Sequence, residues 1–326
     1  DSHLAKISTD EFIIKGSYTD TASKIQIRAL LHTENTNVTP SIRQFIISYK
    51  DNTPRIKGIE IPSNKIIDVP SYSQYIRDKN IGSVICSLTS ITMLLNRRNE
   101  NLIVEETAWS CFDYDYEAFG NWLFNVAFAS SLGYESFIEY GNLKSLKREI
   151  YSGYPVAVSV KYTNDINNLE YPYIENAPIT TAGHILVVRG FEKKDDIDYV
   201  VVNDPAGKSN ESVTRRYNLS EFENAWHRGS NIMYVIHDKK VEINNNRIEA
   251  SLELKNNKEN LYSVLVNDTY LDLSSDFVKT ILITYDNGLT FEYLVPYNNH
   301  YLALENKNKC VIYIIGSDGF TYVCNC

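Results

Sequence analysis

The chain has 326 residues, and its 41 acidic side chains outnumber its 32 Lys and Arg side chains, which gives a net charge of -9. A nucleic-acid-binding surface needs clustered positive charge, so this balance argues against a nucleic-acid partner. Apolar residues make up 43% of the chain, which excludes wholesale disorder. No apolar run reaches the roughly 20 residues of a membrane-spanning helix. The length predicts two domains, or one domain with flanking β-rich segments.

The segment 1–60 is predicted to form β-strands. Residues 24–30 alternate between polar and apolar side chains, and the stretch 42–49 begins with the same alternation. An Asn- and Thr-rich stretch, 33–40, separates them and is typical of a turn or short loop. Two or three strands cannot bury a core alone. We therefore expect this segment to be part of a β-sandwich or to pack on the domain that follows.

Residues 61–240 are predicted to form an α+β domain in which helices come first and an antiparallel sheet follows. The side-chain pattern predicts three helices, over 86–95, 121–132 and 142–151, and apolar strands over 155–160, 184–191 and 199–203. Further short β-type runs, with a hairpin turn at 316–319, predict a small C-terminal β domain over 241–326.

Cys86 is a candidate nucleophile because it stands between a loop and the predicted start of a helix. There the helix dipole and unpaired backbone N–H groups favour the thiolate. A thiolate is the attacking species in cysteine acyl-transfer chemistry. The alternative is a small buried cysteine in the core, which is a frequent role for a single cysteine.

His184 and Asp204 are candidate partners of this thiol. His184 opens a strongly apolar predicted strand, and Asp204 follows the end of the next one. Two adjacent antiparallel strands can bring such side chains together, so that the carboxylate fixes the tautomer of the imidazole. A helix-start Cys, a strand His and a strand-end Asp, in this order, form the layout of a papain-like site. Alternatively, His184 is a core or surface histidine and Asp204 a turn-forming residue before Pro205.

Gln74, twelve residues before Cys86, is a candidate oxyanion-hole donor together with the backbone N–H of the cysteine. Taken alone, a glutamine here is more often a solvated loop residue. The small Gly183 leaves room for a substrate chain beside His184. Further candidates for the substrate cleft are Ser87, Asn121 and Trp122, although Trp122 could equally belong to the core face of its helix.

Six blocks of the sequence resemble the bacterial C-thirty-nine-like papain-fold cysteine peptidases. They are 69–74 (VPSYSQ), 86–90 (CSLTS), 120–125 (GNWLFN), 183–191 (GHILVVRGF), 202–206 (VNDPA) and 222–226 (FENAW), within a region of about 61–238. The resemblance implies that Cys86 is the nucleophile, His184 the general base and then acid, Asp204 its orienting residue and Gln74 the oxyanion donor. It implies no cofactor. Where the family usually has Pro, this chain has Leu88, a change expected to affect local stability more than chemistry.

The other cysteines point to a disulfide rather than to a metal site. Cys310, Cys324, Cys326 and His300 lack the Cys-x2-Cys spacing of zinc modules, so we expect no bound metal. Cys310 lies on one arm of a predicted hairpin and the other two cysteines on the opposite arm, so Cys310 can pair with either Cys324 or Cys326. Either pairing leaves Cys86 reduced.

These observations predict a thiol hydrolase that cleaves peptide bonds, with a peptide or protein as its substrate. One alternative is a transglutaminase-like acyltransferase, since that fold also orders its site Cys, His, Asp. Another is a catalytically inert surface-binding protein with a papain-like domain. The chain starts at Asp1 without an initiator Met, and together with the resemblance this predicts a secreted or cell-surface bacterial protein, with the cytoplasm as the alternative. The sequence does not indicate an oligomeric state.

Overall fold

The computed structural model describes residues 64–243, 247–305 and 309–326, together with nine residues between 30 and 48. Within these ranges it contains five α-helices, two short 3-10 helices and two sheets. The strands predicted over 24–30 and 42–49 lie almost wholly outside the described residues. The β segment 1–60 therefore stays a prediction, as do the proposed domain boundaries at 60 and 240.

The first sheet is antiparallel and carries the helices around it. Its strands are β1 (Lys65–Ile66), β2 (Tyr134–Tyr140), β3 (Val156–Tyr162), β4 (Thr181–Lys194), β5 (Ile197–Asn203), β6 (Thr214–Asn218) and β7 (Ile232–Lys239). They are ordered β2-β7-β3-β4-β5-β6, with β1 paired to β4. The helices are α1 (Cys86–Asn96), α2 (Val104–Ser110), α3 (Trp122–Ser131), α4 (Leu143–Ser152) and α5 (Leu219–Arg228).

Helix α1 is buried on every side. All its residues from Ser87 to Leu95 are buried, because the helix packs on β3 and β4 on one side and on α2 and α3 on the other. The hydroxyls of Thr89, Ser90 and Thr92 on this helix donate to backbone carbonyls, which allows the helix to lie in the interior. The first residue of α1 is thereby held at a fixed place beside the sheet.

Local sequence signals explain where the other predicted helices begin and end. The side chain of Asn121 accepts hydrogen bonds from the first turn of α3, and Asn142 does the same for α4. Helix α4 stops at Gly153, whose φ of 98° is in the left-handed region. The three predicted helices are therefore confirmed to within a residue or two. Helices α2 and α5 and strands β1, β2, β6 and β7 were not predicted.

The second sheet follows the first in the chain and contains β8 (Arg247–Asn256), β9 (Leu261–Val266), β10 (Thr269–Tyr270), β11 (Val278–Thr284), β12 (Glu292–Tyr293), β13 (Leu302–Ala303), β14 (Val311–Gly316) and β15 (Thr321–Asn325). Its order is β10-β9-β8-β15-β14-β11-β12, with β13 on β9. Only β15 and β8 pair in parallel among its described strands. A disulfide joins Cys310 to Cys326 across the β14–β15 hairpin, which is one of the two pairings that the sequence left open.

The two sheets have separate apolar cores but are joined at α2. A small buried cluster contains Ile103, at the start of α2, and Leu282 and Ile315 of the second sheet. Beside it, Arg247 of β8 contacts both carboxylate oxygens of Glu106 on α2, at 3.1 and 2.9 Å. Bidentate contacts of this kind fix orientation as well as distance. The second sheet therefore packs closely on the helices around Cys86.

Candidate active site

Cys86 is the first residue of α1, and its side chain is half-buried. The preceding residue, Ile85, provides no side-chain cap for this helix end. Burial by itself would raise the pKa of the Cys86 thiol. The positive charge of His184, a hydrogen bond to its ring, and backbone hydrogen bonds from Ile185 and Ser87 outweigh burial and lower the pKa. The thiolate is therefore stabilised at this position.

His184 lies on β4, opposite Val160 of β3, and is buried. Its Nε2 lies 2.8 Å from Oδ1 of Asp204. Burial alone would lower the pKa of His184, but the negative charges of Asp204 and Cys86 and the hydrogen bonds to both raise it to about 10. Since Nε2 is occupied by the carboxylate, Nδ1 is the ring nitrogen left to face the thiol.

Asp204 follows β5 directly and is completely buried. Its Oδ1 also accepts a hydrogen bond from the backbone N–H of Ala206 at 3.0 Å. Its Oδ2 accepts from the hydroxyls of Tyr162 and Tyr217, both at 2.8 Å. Burial would raise the pKa of Asp204, but the positive charge of His184 and these hydrogen bonds lower it. The carboxylate stays ionised and cannot rotate without losing a donor.

The segment that leads to Gln74 is tied to the end of β5. The amide nitrogen of Asn203 donates to the carbonyl oxygens of Val69 and Pro70, at 3.2 and 3.0 Å. The backbone N–H of Gln74 donates to the carbonyl of Pro205 at 2.9 Å. Gln74 is therefore attached to the loop that carries Asp204.

Gln74 begins a short 3-10 helix, Gln74–Ile76, and its side chain is buried. Its Nε2 donates to the carbonyl oxygen of Gly82 at 2.9 Å. Its Oε1 has no hydrogen-bond partner among the described residues. A carbonyl can only accept, so this contact fixes which end of the amide carries the nitrogen. The amide nitrogen has two N–H groups, and Gly82 uses one of them.

The sequence shows to which family the chain belongs. A sequence model of the Peptidase_C39 like family matches residues 66–233, which is more than half of the chain. The chain belongs to this family. Cys86, His184, Asp204 and Gln74 all lie within the matched range, whereas the second sheet lies outside it. The α+β arrangement predicted for a papain-like peptidase of this family is the one that the structure has.

Solved structures of peptidases are similar to this member of the Peptidase_C39 like family. A C39-like peptidase from Bacillus anthracis is 16% identical, with 55% of this chain and 100% of that chain covered and a TM-score of 0.39. A double glycine motif protease from an AMS/PCAT transporter, solved with the leader peptide, is 18% identical, with 55% and 98% covered and a TM-score of 0.30. Digestive procathepsin L 3 of the Tenebrio molitor larval midgut is 14% identical, with 53% and 67% covered and a TM-score of 0.38. No curated protein matches the chain.

Two of the predicted cleft residues differ in their access to solvent. Gly183 is exposed, and a Cβ built on it would meet no atom within 4 Å, so the position before His184 is open. Ser87 is buried, and its hydroxyl has no hydrogen-bond partner among the described residues. Room for a substrate is therefore available at Gly183, while the side chain of Ser87 lies below the surface.

The other two predicted cleft residues have structural contacts. Oδ1 of Asn121 accepts from the first turn of α3, and its amide nitrogen donates to Oδ2 of Asp113 at 2.8 Å. Trp122 is partly buried against the main apolar core. The contact of Trp122 fits the alternative in which it belongs to the core face of its helix, while Asn121 caps the start of α3. Their role as cleft residues stays a prediction.

Sequence reasoning missed Tyr162, Tyr217 and Asn203. The chain has 24 tyrosines, so residue type alone singles out none of them. The available signal was positional, since Tyr162 ends the strand beside β4 and Asn203 immediately precedes Asp204. Only the pairing of β5 with β6, which places Tyr217 next to Val200, brings the second tyrosine to the same carboxylate.

The described part of the chain contains no group of three or more His, Cys, Asp or Glu side chains placed to hold a metal ion. None of its helices has the length and apolar character needed to cross a membrane. Burial raises the pKa of the Cys111 thiol, and it raises that of Cys324 to about 12. Cys86 thus differs from both in the direction of its shift.

Proposed function

We propose that this member of the Peptidase_C39 like family is a thiol-dependent peptidase that uses Cys86, His184 and Asp204. The observation that carries the proposal is the buried contact between Asp204 and Nε2 of His184, which leaves Nδ1 for the thiol. An imidazole held in this way can take the proton of the thiol and later return it to a leaving amine. The opposite pKa shifts of Cys86 and His184 favour the thiolate–imidazolium pair.

In the proposed reaction, the Cys86 thiolate forms a bond to the carbonyl carbon of the peptide, and the carbonyl π electrons move to the oxygen. As the carbonyl re-forms, the C–N bond breaks, and the imidazolium of His184 gives its proton to the departing amine. Water then attacks the thioester carbon while His184 takes a proton from the water, and the C–S bond breaks as the carbonyl re-forms. The products are the acid and the Cys86 thiolate beside the protonated His184, and no cofactor takes part.

The proposed oxyanion hole combines the second N–H of the Gln74 amide with the backbone N–H of Cys86. The first residues of an α-helix have N–H groups without an acceptor inside the helix, so that of Cys86 is available. The bond between Gln74 and Gly82 supports the assignment because it holds the amide nitrogen in place without using both of its hydrogens. Removal of one oxyanion donor typically lowers kcat by about 100- to 1000-fold.

Hydrolysis of a quenched-fluorescence peptide library tests this function directly. Wild type, Cys86→Ala and Gln74→Ala would be compared, with His237→Ala as a control because that partly buried histidine pairs with Glu149 and not with a residue of the proposed site. We expect hydrolysis to be abolished in Cys86→Ala, reduced about 100-fold or more in Gln74→Ala, and unchanged in the control. Hydrolysis that persists in Cys86→Ala would refute the proposal.

The same experiment separates peptidase activity from acyl transfer. With a primary amine in the assay, mass spectrometry of the products shows whether the acyl group ends on water or on the amine. We expect water as the acceptor. An amine adduct as the main product would instead indicate the transglutaminase-like alternative, and no turnover at all would favour the inert binding protein.

We further propose that the protein works outside the reducing cytoplasm. The disulfide between Cys310 and Cys326 supports this location, because such bonds persist in oxidising compartments. Two further cysteines, Cys111 and Cys324, stay reduced in the buried interior. A secreted or cell-surface peptidase would meet its peptide substrates outside the cytoplasm.

A further inference from the structure

The loop between the 3-10 helix Gln74–Ile76 and α1 is organised around Asp78. The backbone N–H groups of Ile81 and Gly82 donate to the carbonyl of Asp78, at 3.0 and 2.7 Å. The carbonyl of Gly82 in turn accepts from Nε2 of Gln74. A Cβ on Gly82 would lie 2.8 Å from the carbonyl oxygen of Gln74, so these backbone segments are in close contact. The placement of the Gln74 amide therefore depends on where Asp78 is held.

Asp78 is buried and is held from two sides. On the helix side, its backbone N–H donates to Oε1 of Glu105, on α2, at 3.1 Å. Its own Oδ1 accepts from the backbone N–H of Asn80 at 2.9 Å. On the other side, its Oδ2 accepts from the hydroxyl of Thr280, on β11 of the second sheet, at 2.9 Å. A residue of the second sheet thus supplies one of the hydrogen bonds that fix this carboxylate.

The second sheet contributes another hydroxyl to the same group of residues. Tyr293 of β12 donates to Oε1 of Glu105 at 2.5 Å. The hydroxyl of Thr280 also accepts from the indole N–H of Trp109, on α2, at 2.9 Å, which directs its hydrogen toward Asp78. Asp78, Glu105 and Thr280 are at most 6% exposed, so water cannot easily replace a lost donor.

We propose that Thr280 is a positioning residue for the oxyanion side of the active site, acting through Asp78 and Gly82 on the Gln74 amide. The inference rests on the proposed peptidase function. It assigns to the second sheet, which lies outside the residues matched by the family, a role in catalysis without contact to substrate. Without the Thr280 hydroxyl, Oδ2 of Asp78 would be buried and unpaired, and the loop would shift to find another donor. A shift of about 1 Å is enough to misdirect an oxyanion donor.

The test compares Thr280→Val, which removes the hydroxyl at nearly constant shape, with Thr280→Ser, which keeps it. The matched control is Thr284→Val. Thr284 lies on the same strand and is also buried, but its hydroxyl donates to Asp286 at 2.8 Å, within the second sheet's own loop. This control measures the effect of losing a buried hydroxyl from β11 without disturbing Asp78.

We expect Thr280→Val to lower kcat about tenfold while KM stays unchanged, because the oxyanion exists only in the transition state. Thr280→Ser should recover most of the activity, and Thr284→Val should keep the wild-type kcat. The pH profile of Cys86 alkylation should be the same in all four proteins, because the His184–Asp204 contact is untouched. Equal kcat in Thr280→Val and Thr284→Val would overturn the proposal.

Hydrogen exchange at the backbone amides of Ile81, Gly82 and Val84 provides a readout that needs no enzymatic activity. These amides donate to Asp78 or Ile81 within the loop, so their exchange should accelerate in Thr280→Val and not in Thr284→Val.

If wild type proves inactive on peptides, the proposed function fails while the exchange data still decide whether Thr280 holds the loop. If Thr280→Val does not fold, Tyr293→Phe removes the neighbouring donor to Glu105 and should give the same pattern. Unchanged exchange in the folded variant refutes the positioning role.

Discussion

Asp204 accepts four hydrogen bonds in a position that water does not reach. Two come from tyrosine hydroxyls, one from a backbone N–H and one from His184. A buried carboxylate without such donors would be costly and would tend to become neutral. With them it remains a negative charge of fixed orientation, and this charge sets both the position of the imidazole and its high pKa.

The lowered pKa of Cys86 predicts the pH dependence of its alkylation. Only the thiolate reacts, so the rate of iodoacetamide labelling should level off at a pH below the 9.0 of an unperturbed thiol. In His184→Ala the positive charge is lost while burial remains, so the inflection should move to higher pH. Peptide mass spectrometry of each variant against pH measures this, with His237→Ala as control. A profile that is indifferent to His184 contradicts the thiolate–imidazolium pair.

At this scale the sequence predicted which three side chains come together but not which residues support them. Cys86, His184 and Asp204 could be found because a helix start and two strand ends are visible in the residue pattern. Tyr162 and Tyr217 could not be found, since their contact with Asp204 depends on how three strands pair in space. The position of Thr280 relative to Asp78 was equally hidden, because 202 residues of chain separate them.

At the level of secondary-structure elements, the close pairing of β1 with β4 depends on Gly190. Ile66 pairs with Gly190, and a Cβ built there would lie 2.5 Å from the carbonyl oxygen of Lys65 and 2.7 Å from Cα of Ile66. Both are backbone atoms that cannot rotate away. Only a residue without a side chain lets β1 pair here, and β1 leads directly into the segment that carries Gln74.

We therefore expect Gly190→Ala to lower the free energy of unfolding by about 1–3 kcal/mol, as forced overpacking does. Gly183→Ala on the same strand is the matched control, because its Cβ would meet no atom within 4 Å. Its effect should stay within about 0.5 kcal/mol. Urea unfolding of both variants measures the difference, and equal stabilities would show that β1 can move aside.

The sequence predicted most readily the helices whose ends carry recognisable local signals. Helices α3 and α4 begin at asparagine caps that can be recognised in the sequence, and α4 ends at a glycine. Helix α2 has only seven residues, and its first turn is supported by the Glu106 side chain, which accepts from the backbone N–H of Ile103 and pairs with the distant Arg247. Helix α5 did carry an apolar pattern after Asn218, so that omission was avoidable.

For the whole molecule, the thiol content tests the cross-link of the second sheet. Denatured protein without reductant should label at Cys86, Cys111 and Cys324, and reduction should expose Cys310 and Cys326 as well. Reduction should also lower the stability of this sheet by about 3 kcal/mol, because the bond closes a loop of 16 residues. Intact and peptide mass spectrometry with alkylation measures the first effect and urea unfolding the second. Labelling of Cys326 in place of Cys324 would instead indicate the other pairing.

The two sheets keep separate apolar cores, yet hydrogen bonds to buried carboxylates join the second sheet to α2 and to the loop before α1. Apolar contacts alone would tolerate small sliding of one sheet against the helices. Hydrogen bonds to buried carboxylates tolerate much less, because a displaced donor leaves a charge unpaired. The second sheet is therefore held in a fixed position relative to α2 and to the loop before Cys86.

The contact between Thr280 and Asp78 also has a consequence for the order in which the protein is made. A ribosome completes Cys86, His184 and Asp204 before it reaches Thr280, and at about 5–20 residues per second the last interval lasts several seconds or more. During that time the nascent chain already carries Cys86, His184 and Asp204, but not the Thr280 hydroxyl that contacts the loop before Cys86. We expect full catalytic competence to arrive late in translation, once the second sheet has left the exit tunnel.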